Sequence, residues 1–598
     1  MKKILTFTFV LFVTFHFIHA QTFNEILGSE SGNTNAGENI TFGDRNVLIG
    51  DSTGVSLEFG SGNILMGYRA GRNNTTSQNV FIGENAGFMN TGGTDNVFIG
   101  AEAGRLNTGS DNTFIGTEAG ESNTLGRQNT FIGEEAGFGN TIGRQNTFIG
   151  EDAGTSNTEG NDNTFIGTQA GRSTTTGRGN TFIGADAEAN FSSSIYPDFV
   201  LVTGAAGQDN ATGSLNTYIG AGAGVDSRTV NANTFIGYGA GGNTENVGEC
   251  TFVGAYAGWD NNRTGGVGAF RGAHNTYLGF GAGGTNRDGS DNVGIGHGAN
   301  FVETGNGETQ NMRNVFIGSS AVINRANDAV LIGYRSVIDN NANRTVAIGS
   351  GVDAAGQRSV AIGYLTNLEP AADDAICIGN LADVQALQAT AIGSNTVVSG
   401  TNSTAIGYQA SVAANNEIVL GNSSIASIGG VVNWTATSDG RFKKNVQENV
   451  IGLDFINRLR PVTYNYDAKK LHTQKGFETE TLADALNQKE AVRYSGFIAQ
   501  EVEAAAEQLG YDFSGVDAPQ DEADIYGLRY AEFVVPLVKA VQELSAEVDQ
   551  KDKRIAELEA QQAAELAAYK KLLGDLTARV EALEVKEGAE LSAATENK

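Results

Sequence analysis

A short apolar run returns at a nearly fixed interval along most of the chain. The pentapeptide NTFIG, or a close variant of it, begins at intervals of mostly 17 residues, at 63, 79, 96, 112, 129, 146, 163 and 180. Each run is too short to bury a core by itself, and a fixed short period indicates stacked coils that share one core. The pattern therefore predicts a mainly β fold, built as a parallel β-roll or β-solenoid.

The polar residues keep the same period. Asn opens most pentapeptides and Gly closes them, and an AG pair follows in most units. We expect each Gly to turn the chain with a backbone conformation that other residues avoid. Stacked Asn side chains could satisfy their amides by forming a ladder between coils.

The repeat changes after residue 184. Longer gaps imply insertions near 185–215, 255–274 and 297–313, and from residue 345 the unit shortens to 14 residues in several places. The composition then changes abruptly, because Lys443 is the first lysine after Lys3. We predict these segments: a signal peptide at 1–20, a lead-in at 21–60, solenoid repeats at 61–430, a small α+β domain at 431–536 and a coiled coil at 537–590.

The last segment carries heptads. With Val541 at position a, later a positions hold Val548 and Ile555, and Leu544 and Leu558 fall at d. This spacing predicts a coiled coil. Three polar residues interrupt the apolar seam and could set the number of chains, namely Lys551, Gln562 and Glu565.

The first 20 residues combine two lysines, an apolar run and a terminal Ala, as a secretory signal does. Cleavage after Ala20 would expose Gln21 rather than a cysteine, so we expect no lipid anchor of the lipoprotein type. No later segment has the roughly 20 apolar residues that a transmembrane helix needs. We expect a secreted or cell-surface protein without a transmembrane segment in the mature chain.

Composition excludes several functions. A formal net charge of −29 argues against nucleic acid or an anionic membrane as partner. The sequence holds no CxxC, HExxH, GGxGxD or phosphate-binding motif, so we expect no metal and no cofactor. Cys250 and Cys377 lie in separate repeat strands, too far apart for a disulfide, and we expect two buried thiols. The acidic pair Glu134 and Glu135 falls at a turn and is expected to be solvated.

One junction contains candidate chemistry. In the segment TSDGRFKKN, Ser438 precedes Lys443 by five residues. A serine hydroxyl becomes a nucleophile only when a base takes its proton. Besides His274 and His297 in the repeats, the mature chain has only His472, so lysine is the nearer candidate base. An ordinary loop serine, beside a turn formed by the next two residues, is the alternative.

The junction SDGRFK, with LRPVTYNY at 459–466 and GFIAQEV at 496–502, resembles the C-terminal chaperone autopeptidase family of phage endosialidases, tail fibres and the myelin regulatory factor. The resemblance implies that Ser438 attacks the carbonyl of Thr437, with Lys443 as general base. The bond between Thr437 and Ser438 would break once, in cis, and Asp439 and Arg441 would support the site. Some such domains keep the fold without cutting, and this alternative stays open.

The TAIG units at 390–393 and 404–407 resemble the head repeats of trimeric autotransporter adhesins. Those heads are trimers of β-rolls, so this resemblance implies a homotrimer. Together the two resemblances predict a secreted or cell-surface trimeric fibre or adhesin, with a self-cleaving chaperone and a surface glycan or protein as ligand.

Two other functions compete with this prediction. A tailspike-like carbohydrate-active or glycan-binding fibre with a non-cleaving trimerisation domain would need carboxylates in a groove. The insertions, with Tyr196, Trp259 and Asp260, are the place to look for it. An ice- or surface-binding solenoid would need flat threonine rows, and the threonine spacing along the sequence is too irregular for that.

Overall fold

A computed structural model describes residues 24–27, 35–185, 205–245, 247–261, 272–302, 311–475, 477–519 and 525–595. The chain divides into two compact units, Met1–Asn422 and Ser423–Lys598. The predicted signal peptide lies outside the described residues, and so do most of the predicted insertions, at 186–204, 262–271 and 303–310.

The first unit is a parallel β-solenoid, as the repeat period predicts. Each apolar run gives one three-residue strand, and consecutive strands pair in parallel without a shift in register, as Thr147 with Thr164 does. In the described residues, the resulting 23-stranded long sheet consists of Glu25–Leu27, Val47–Ile49, Ile64–Met66, Val80–Ile82, Val97–Ile99, Thr113–Ile115, Thr130–Ile132, Thr147–Ile149, Thr164–Ile166, Thr181–Ile183, Thr217–Ile219, Thr234–Ile236, Thr251–Val253, Thr276–Leu278, Val293–Ile295, Val315–Ile317, Val330–Ile332, Val346–Ile348, Val360–Ile362, Ile376–Ile378, Thr390–Ile392, Thr404–Ile406 and Ile418–Leu420. The repeat register thus already includes Val47–Ile49, within the stretch that the sequence assigned to a lead-in.

The middle residue of each strand builds the core. Phe148 is fully buried, and its ring stacks on Phe131 at 4.8 Å and on Phe165 at 4.7 Å between ring centroids. The alanine of each AG pair, such as Ala153, is buried beside this column. Stacking therefore buries apolar side chains that no single coil could remove from water.

A ladder of buried asparagines runs beside the aromatic column, as predicted. The Asn146 backbone N–H donates to Asn129 Oδ1 at 3.0 Å, and Asn146 Oδ1 in turn accepts from the Asn163 N–H at 3.1 Å. The Asn146 side-chain amide also donates to the Gly160 carbonyl at 2.8 Å. Each ladder asparagine thus satisfies backbone groups of the next coil that would otherwise be buried without a partner.

The glycine that follows each strand is required because the backbone of the next coil lies very close to it. Gly133 has a φ of +139°, and a Cβ placed there would lie 2.3 Å from the Gly150 carbonyl oxygen of the next coil. A larger residue would meet both the backbone strain and the clash.

The later coils add a second, short parallel sheet that the sequence did not reveal. Its eight strands in the described residues are Asn300–Phe301, Val322–Ile323, Val337–Ile338, Asp353–Ala354, Asn367–Leu368, Asp383–Val384, Val397–Val398 and Ser411–Val412. The coils shorten where this sheet forms, and small residues such as Ala347 and Ala361 take the core positions that phenylalanine holds earlier.

The threonine rows are more regular than the sequence indicates. Thr181 pairs with Thr217, and Thr251 pairs with Thr276, although the intervening segments differ in length. The row is nevertheless limited to part of the sheet, because Val97 before it and Val293 after it hold the same position.

The second unit is small and largely helical. Its helices are α1 (Leu453–Ile456), α2 (Ala468–Gln474), α3 (Ala483–Ala491), α4 (Ala499–Glu507) and α5 (Val534–Thr595), and its 3₁₀ turns are Gly440–Phe442, Glu480–Leu482 and Tyr530–Phe533. Val462–Tyr464 pairs antiparallel with Tyr494–Gly496, and Val516–Asp517 pairs with Gly527–Leu528. Its apolar core is the cluster Phe455, Val502, Ala505, Ala506, Phe513 and Phe533. Among the described residues, no helix has both the length and the apolar character needed to cross a bilayer.

Candidate functional site

The predicted reaction site lies in a segment with little regular structure. Between the last solenoid strand, which ends at Leu420, and helix α1, the described chain contains one 3₁₀ turn, Gly440–Phe442. The turn begins two residues after Ser438, so its geometry decides where the serine side chain meets its neighbours.

Asp439 caps this turn. Its carboxylate accepts the Arg441 backbone N–H at 2.9 Å and the Arg441 guanidinium at 2.8 Å. A short acidic side chain at this position satisfies a backbone donor that the turn leaves free. The hydrogen bonds from Arg441 lower the pKa of the Asp439 carboxyl, so the pair stays charged. The two supporting residues therefore hold the turn between Ser438 and Lys443.

The turn brings the two predicted reactive side chains together. The Lys443 backbone N–H donates to the Gly440 carbonyl at 3.2 Å, which closes the turn. From there the Lys443 side chain reaches back, and its Nζ lies 2.8 Å from Ser438 Oγ. A spacing of five residues across one turn thus gives the contact that a serine and its base require.

Both side chains are exposed in the single chain. Thr437, Ser438 and Lys443 are all accessible to solvent. A lysine amine acts as a base when burial or positive neighbours favour its neutral form. The backbone N–H groups of Arg441, Phe442 and Lys443 are already engaged in or beside the turn, so they are not free to bind an oxyanion.

The segment around the site also exposes large apolar side chains. The exposed fraction is 84% for Val432, 87% for Trp434 and 77% for Phe442. The indole of Trp434 is among them, because the described part of the segment folds no layer over it. Monomeric proteins rarely leave so many large apolar side chains together in water.

His472 does not serve Ser438. This side chain is buried, its Nδ1 lies 2.9 Å from Ser423 Oγ, and its Nε2 lies 3.2 Å from the Glu478 carbonyl oxygen. Both ring nitrogens contact groups other than Ser438, so His472 ties the start of this unit to helix α2.

Sequence reasoning missed Lys489. Its Nζ donates to the Ile425 carbonyl at 2.6 Å and lies over the Tyr466 ring at 5.8 Å from the centroid. Burial lowers the pKa of its ammonium. Nothing in the local sequence NQKEAV marks this lysine, since its partners come from distant parts of the chain.

The residues proposed for a carbohydrate site are placed in different ways. Tyr196 lies outside the described residues. Trp259 and Asp260 are both buried, with an exposed fraction of 5% each. Asp260 accepts a hydrogen bond from Asn243 at 2.8 Å and lies 4.0 Å from the Arg287 guanidinium. These contacts suit a structural role, and the carbohydrate function stays a prediction. In the described part of the chain, no group of three or more His, Cys, Asp or Glu could hold a metal ion.

Two family models match parts of the chain. Residues 438–511 match the peptidase S74 model, described as the chaperone of endosialidase, and this match begins at Ser438. Residues 385–410 match two copies of the YadA head domain repeat. Both resemblances inferred from sequence motifs are thereby confirmed. No curated protein matches the chain.

Proposed function

We propose that the chain is a homotrimeric fibre or adhesin-like protein, exported to the cell surface or secreted, whose C-terminal region assembles the trimer and then cuts the bond between Thr437 and Ser438 once. The observation that carries this proposal is the 2.8 Å contact between Lys443 Nζ and Ser438 Oγ. It lies at the first residue of the segment that resembles the chaperone of endosialidase.

The chemistry follows from these two side chains. Neutral Lys443 takes the proton of Ser438 Oγ, and the oxygen bonds to the Thr437 carbonyl carbon. The carbon–nitrogen bond then breaks, and the Ser438 nitrogen leaves as an amine with the proton that Lys443 returns. Water hydrolyses the resulting ester, which leaves a carboxylate on Thr437 and frees the Ser438 hydroxyl. The reaction needs no cofactor and happens once per chain.

A neighbouring copy would complete the site. Burial favours the neutral amine of a lysine, and one chain leaves Lys443 in water. The exposed apolar side chains beside it, including Trp434 and Phe442, offer a surface that a second chain can cover. Cleavage would therefore follow assembly, because the base becomes active only in the trimer.

Helix α5 supplies the means of assembly. Its 62 residues span about 93 Å at 1.5 Å per residue. Along it, apolar side chains at heptad spacing stay about half exposed in the single chain, as in Leu544 at 50% and Leu558 at 47%. A stripe of this kind is buried when parallel copies form a coiled coil.

The heptads shift once along this helix. Up to Leu558 the apolar rows follow one frame, and from Leu566 they resume in a frame displaced by four residues, with Tyr569 and Leu573 in the next positions. Such an insertion locally unwinds a coiled coil without breaking it. The shift places the polar residues Gln562 and Glu565 between two apolar blocks, so they need not weaken either block.

The long helices would also lower the cost of starting the solenoid. Once the α5 helices hold three chains together, their solenoid segments have a high effective concentration relative to one another. After cleavage the C-terminal region can leave, and the fibre then loses the part that assembled it. A fibre that unfolds then cannot easily assemble again, so the stability of the folded fibre is kinetic.

Two variants in α5 test this proposal. Leu558→Asp puts a charge into the apolar seam, whereas Ala560→Asp puts the same charge on the outer face two residues away. We expect the wild type and Ala560→Asp to be cut and to form trimers by native mass spectrometry. Leu558→Asp should remain a whole monomer. Full cleavage in a monomeric Leu558→Asp would contradict activation by assembly.

A further inference from the structure

We propose that the C-terminal unit keeps hold of the solenoid chain after the cut, through a pair of side chains, His472 and Lys489, that bind residues 423–425. We call residues 423–437 the tail, because the proposed cut after Thr437 leaves them as the last residues of the fibre. The inference rests on the proposed cleavage and adds that cleavage and release are two separate steps.

The proposed cut falls inside a compact unit rather than at its edge. The second unit begins at Ser423, and the bond between Thr437 and Ser438 lies within it. Hydrolysis of one peptide bond breaks no other contact, so the tail stays bound until its remaining contacts open. Residues 425–437 are exposed, so the contacts that hold the tail lie near its start.

Ser423 makes the first of these contacts. It is buried, and its Oγ lies 2.9 Å from Nδ1 of His472 in helix α2, a side chain that is itself only 1% exposed. The other ring nitrogen, Nε2, lies 3.2 Å from the Glu478 carbonyl oxygen, which can only accept a hydrogen bond. Nε2 therefore carries the proton of the neutral ring, and Nδ1 accepts a hydrogen bond from the Ser423 hydroxyl.

Lys489 in helix α3 makes the second contact. Its Nζ donates to the Ile425 backbone carbonyl at 2.6 Å and lies 5.8 Å from the centroid of the Tyr466 ring. Desolvation lowers the pKa of this ammonium, as expected for a lysine that is partly surrounded by protein groups. A hydrogen bond from a charged donor is stronger than one between neutral groups. Lys489 therefore contributes a strong bond to the backbone of the tail.

The pair lies on two helices that are joined to each other. The Glu490 carboxylate of α3 accepts the Lys469 backbone N–H of α2 at 3.1 Å and lies 3.7 Å from Lys469 Nζ. Both helices follow Ser438 in the chain, so the cut leaves them connected to the C-terminal fragment. The site for the tail is therefore held together without the tail, and a preorganised site pays less conformational entropy on binding.

Three copies of the pair would act together in the proposed trimer. The α5 helices hold the three C-terminal units to one another, so the cut fragments separate only when all three tails are free at the same time. The loss of one hydrogen bond weakens binding by roughly tenfold, mostly through faster dissociation. Loss of both bonds in every chain should therefore speed release by at least about 100-fold.

Release can be measured without relying on self-cleavage. In the full mature chain, Ser438→Ala removes the proposed nucleophile, and a recognition site for a sequence-specific protease is inserted between Gly430 and Val431 to supply the cut. Both flanking residues are exposed. We call this protein the parent. After digestion, repeated gel filtration over time shows whether the solenoid fragment and the C-terminal fragment stay together.

Two double variants of the parent test the pair. Ser423→Ala with Lys489→Met removes both donors and keeps the apolar stem of the lysine. Ser427→Ala with Lys470→Met makes the same changes at exposed positions of the tail and of α2. We expect the fragments to coelute in the parent and in this control, and to separate at least about 100-fold faster in the first variant.

Native mass spectrometry before digestion checks that each protein forms a trimer, so that misfolding is not mistaken for release. If the first double variant does not assemble, Ser423→Ala alone, which deletes one oxygen atom, takes its place, and release should then be roughly tenfold faster.

Two outcomes would overturn the inference. Fragments of the parent that separate as soon as digestion is complete would refute retention. Fragments that stay together equally long without the two donors would show that other contacts hold the tail, and would refute the role of the pair. Failure of the proposed function has a different signature, because a wild-type chain that stays whole refutes self-cleavage, whereas the inserted site still decides retention.

Discussion

The buried asparagine ladder allows the loss of folding free energy to be estimated for one variant, Asn146→Ala. The Asn146 side chain has no exposure to solvent. It donates to the Gly160 carbonyl at 2.8 Å and accepts from the Asn163 backbone N–H at 3.1 Å. Alanine would leave the Asn163 backbone N–H without a partner, and the Gly160 carbonyl would keep only the longer hydrogen bond of 3.4 Å from the Asn157 side chain. Each buried group that loses such a hydrogen bond costs roughly 1–3 kcal/mol, so the two losses together cost about 4 kcal/mol.

Hydrogen exchange of the full chain, followed by mass spectrometry, measures this loss of stability in individual strands. We expect amide protection in the strands Thr147–Ile149 and Thr164–Ile166 to fall by roughly 1,000-fold, because each 1.4 kcal/mol corresponds to a factor of ten. Strands many coils away should change less, since each coil of a solenoid contacts only its neighbours.

Asn161→Ala is the matched control. Asn161 also accepts a backbone N–H of the preceding coil, that of Arg144 at 2.9 Å, but at an exposed position. Water can replace a lost partner there, so protection should fall by less than about tenfold. If Asn146→Ala changed protection no more than Asn161→Ala does, the ladder would not contribute to stability in the way argued here.

Three further predictions concern single residues of the solenoid. Gly133→Ala forces a Cβ against the Gly150 carbonyl oxygen at 2.3 Å, and should destabilise the coil by more than about 1 kcal/mol; unchanged amide protection in the adjacent strands would contradict this. Burial raises the pKa of the Cys250 and Cys377 thiols to about 12, so iodoacetamide at pH 8 should modify neither in the folded chain and both in urea, counted by mass; rapid modification without urea would show that they are accessible. Burial and neighbouring carboxylates raise the pKa of Glu135, so its charge destabilises the fold above that pKa and is lost as the pH falls through it. Glu135→Gln should therefore raise the Tm at pH 7, with a gain that shrinks as the pH approaches 4.5, the usual pKa of a glutamate; an equal gain at both pH values would exclude this cause.

The sequence predicts the solenoid well because its period is strict. Phe148 is the middle residue of its strand, between Thr147 and Ile149, so strand alternation predicts that its side chain is buried. The asparagine ladder follows from the same period. The short sheet was not predicted, because a two-residue strand such as Asp353–Ala354 is too short to show an alternation of its own and mixes charge with small apolar residues.

The candidate site was predictable in part. The spacing of Ser438 and Lys443 points to the pair, whereas the turn at the Asp–Gly pair between them was expected only for an ordinary loop serine. The place of Trp434 could not be inferred, because its surroundings depend on groups far away in sequence and on other chains. The same limit applies to Lys443, because its proposed burial depends on a neighbouring chain.

The most direct test of the self-cleavage proposal is the intact mass, under denaturing conditions, of the purified mature chain beside Ser438→Ala and Lys443→Ala. The proposal predicts two fragments for the wild type, divided between Thr437 and Ser438, and one whole chain for each variant. A whole wild-type chain would reduce the C-terminal region to an assembly scaffold. Cleavage that persists in Ser438→Ala would mean that another protease cuts the chain and would refute the proposed pair.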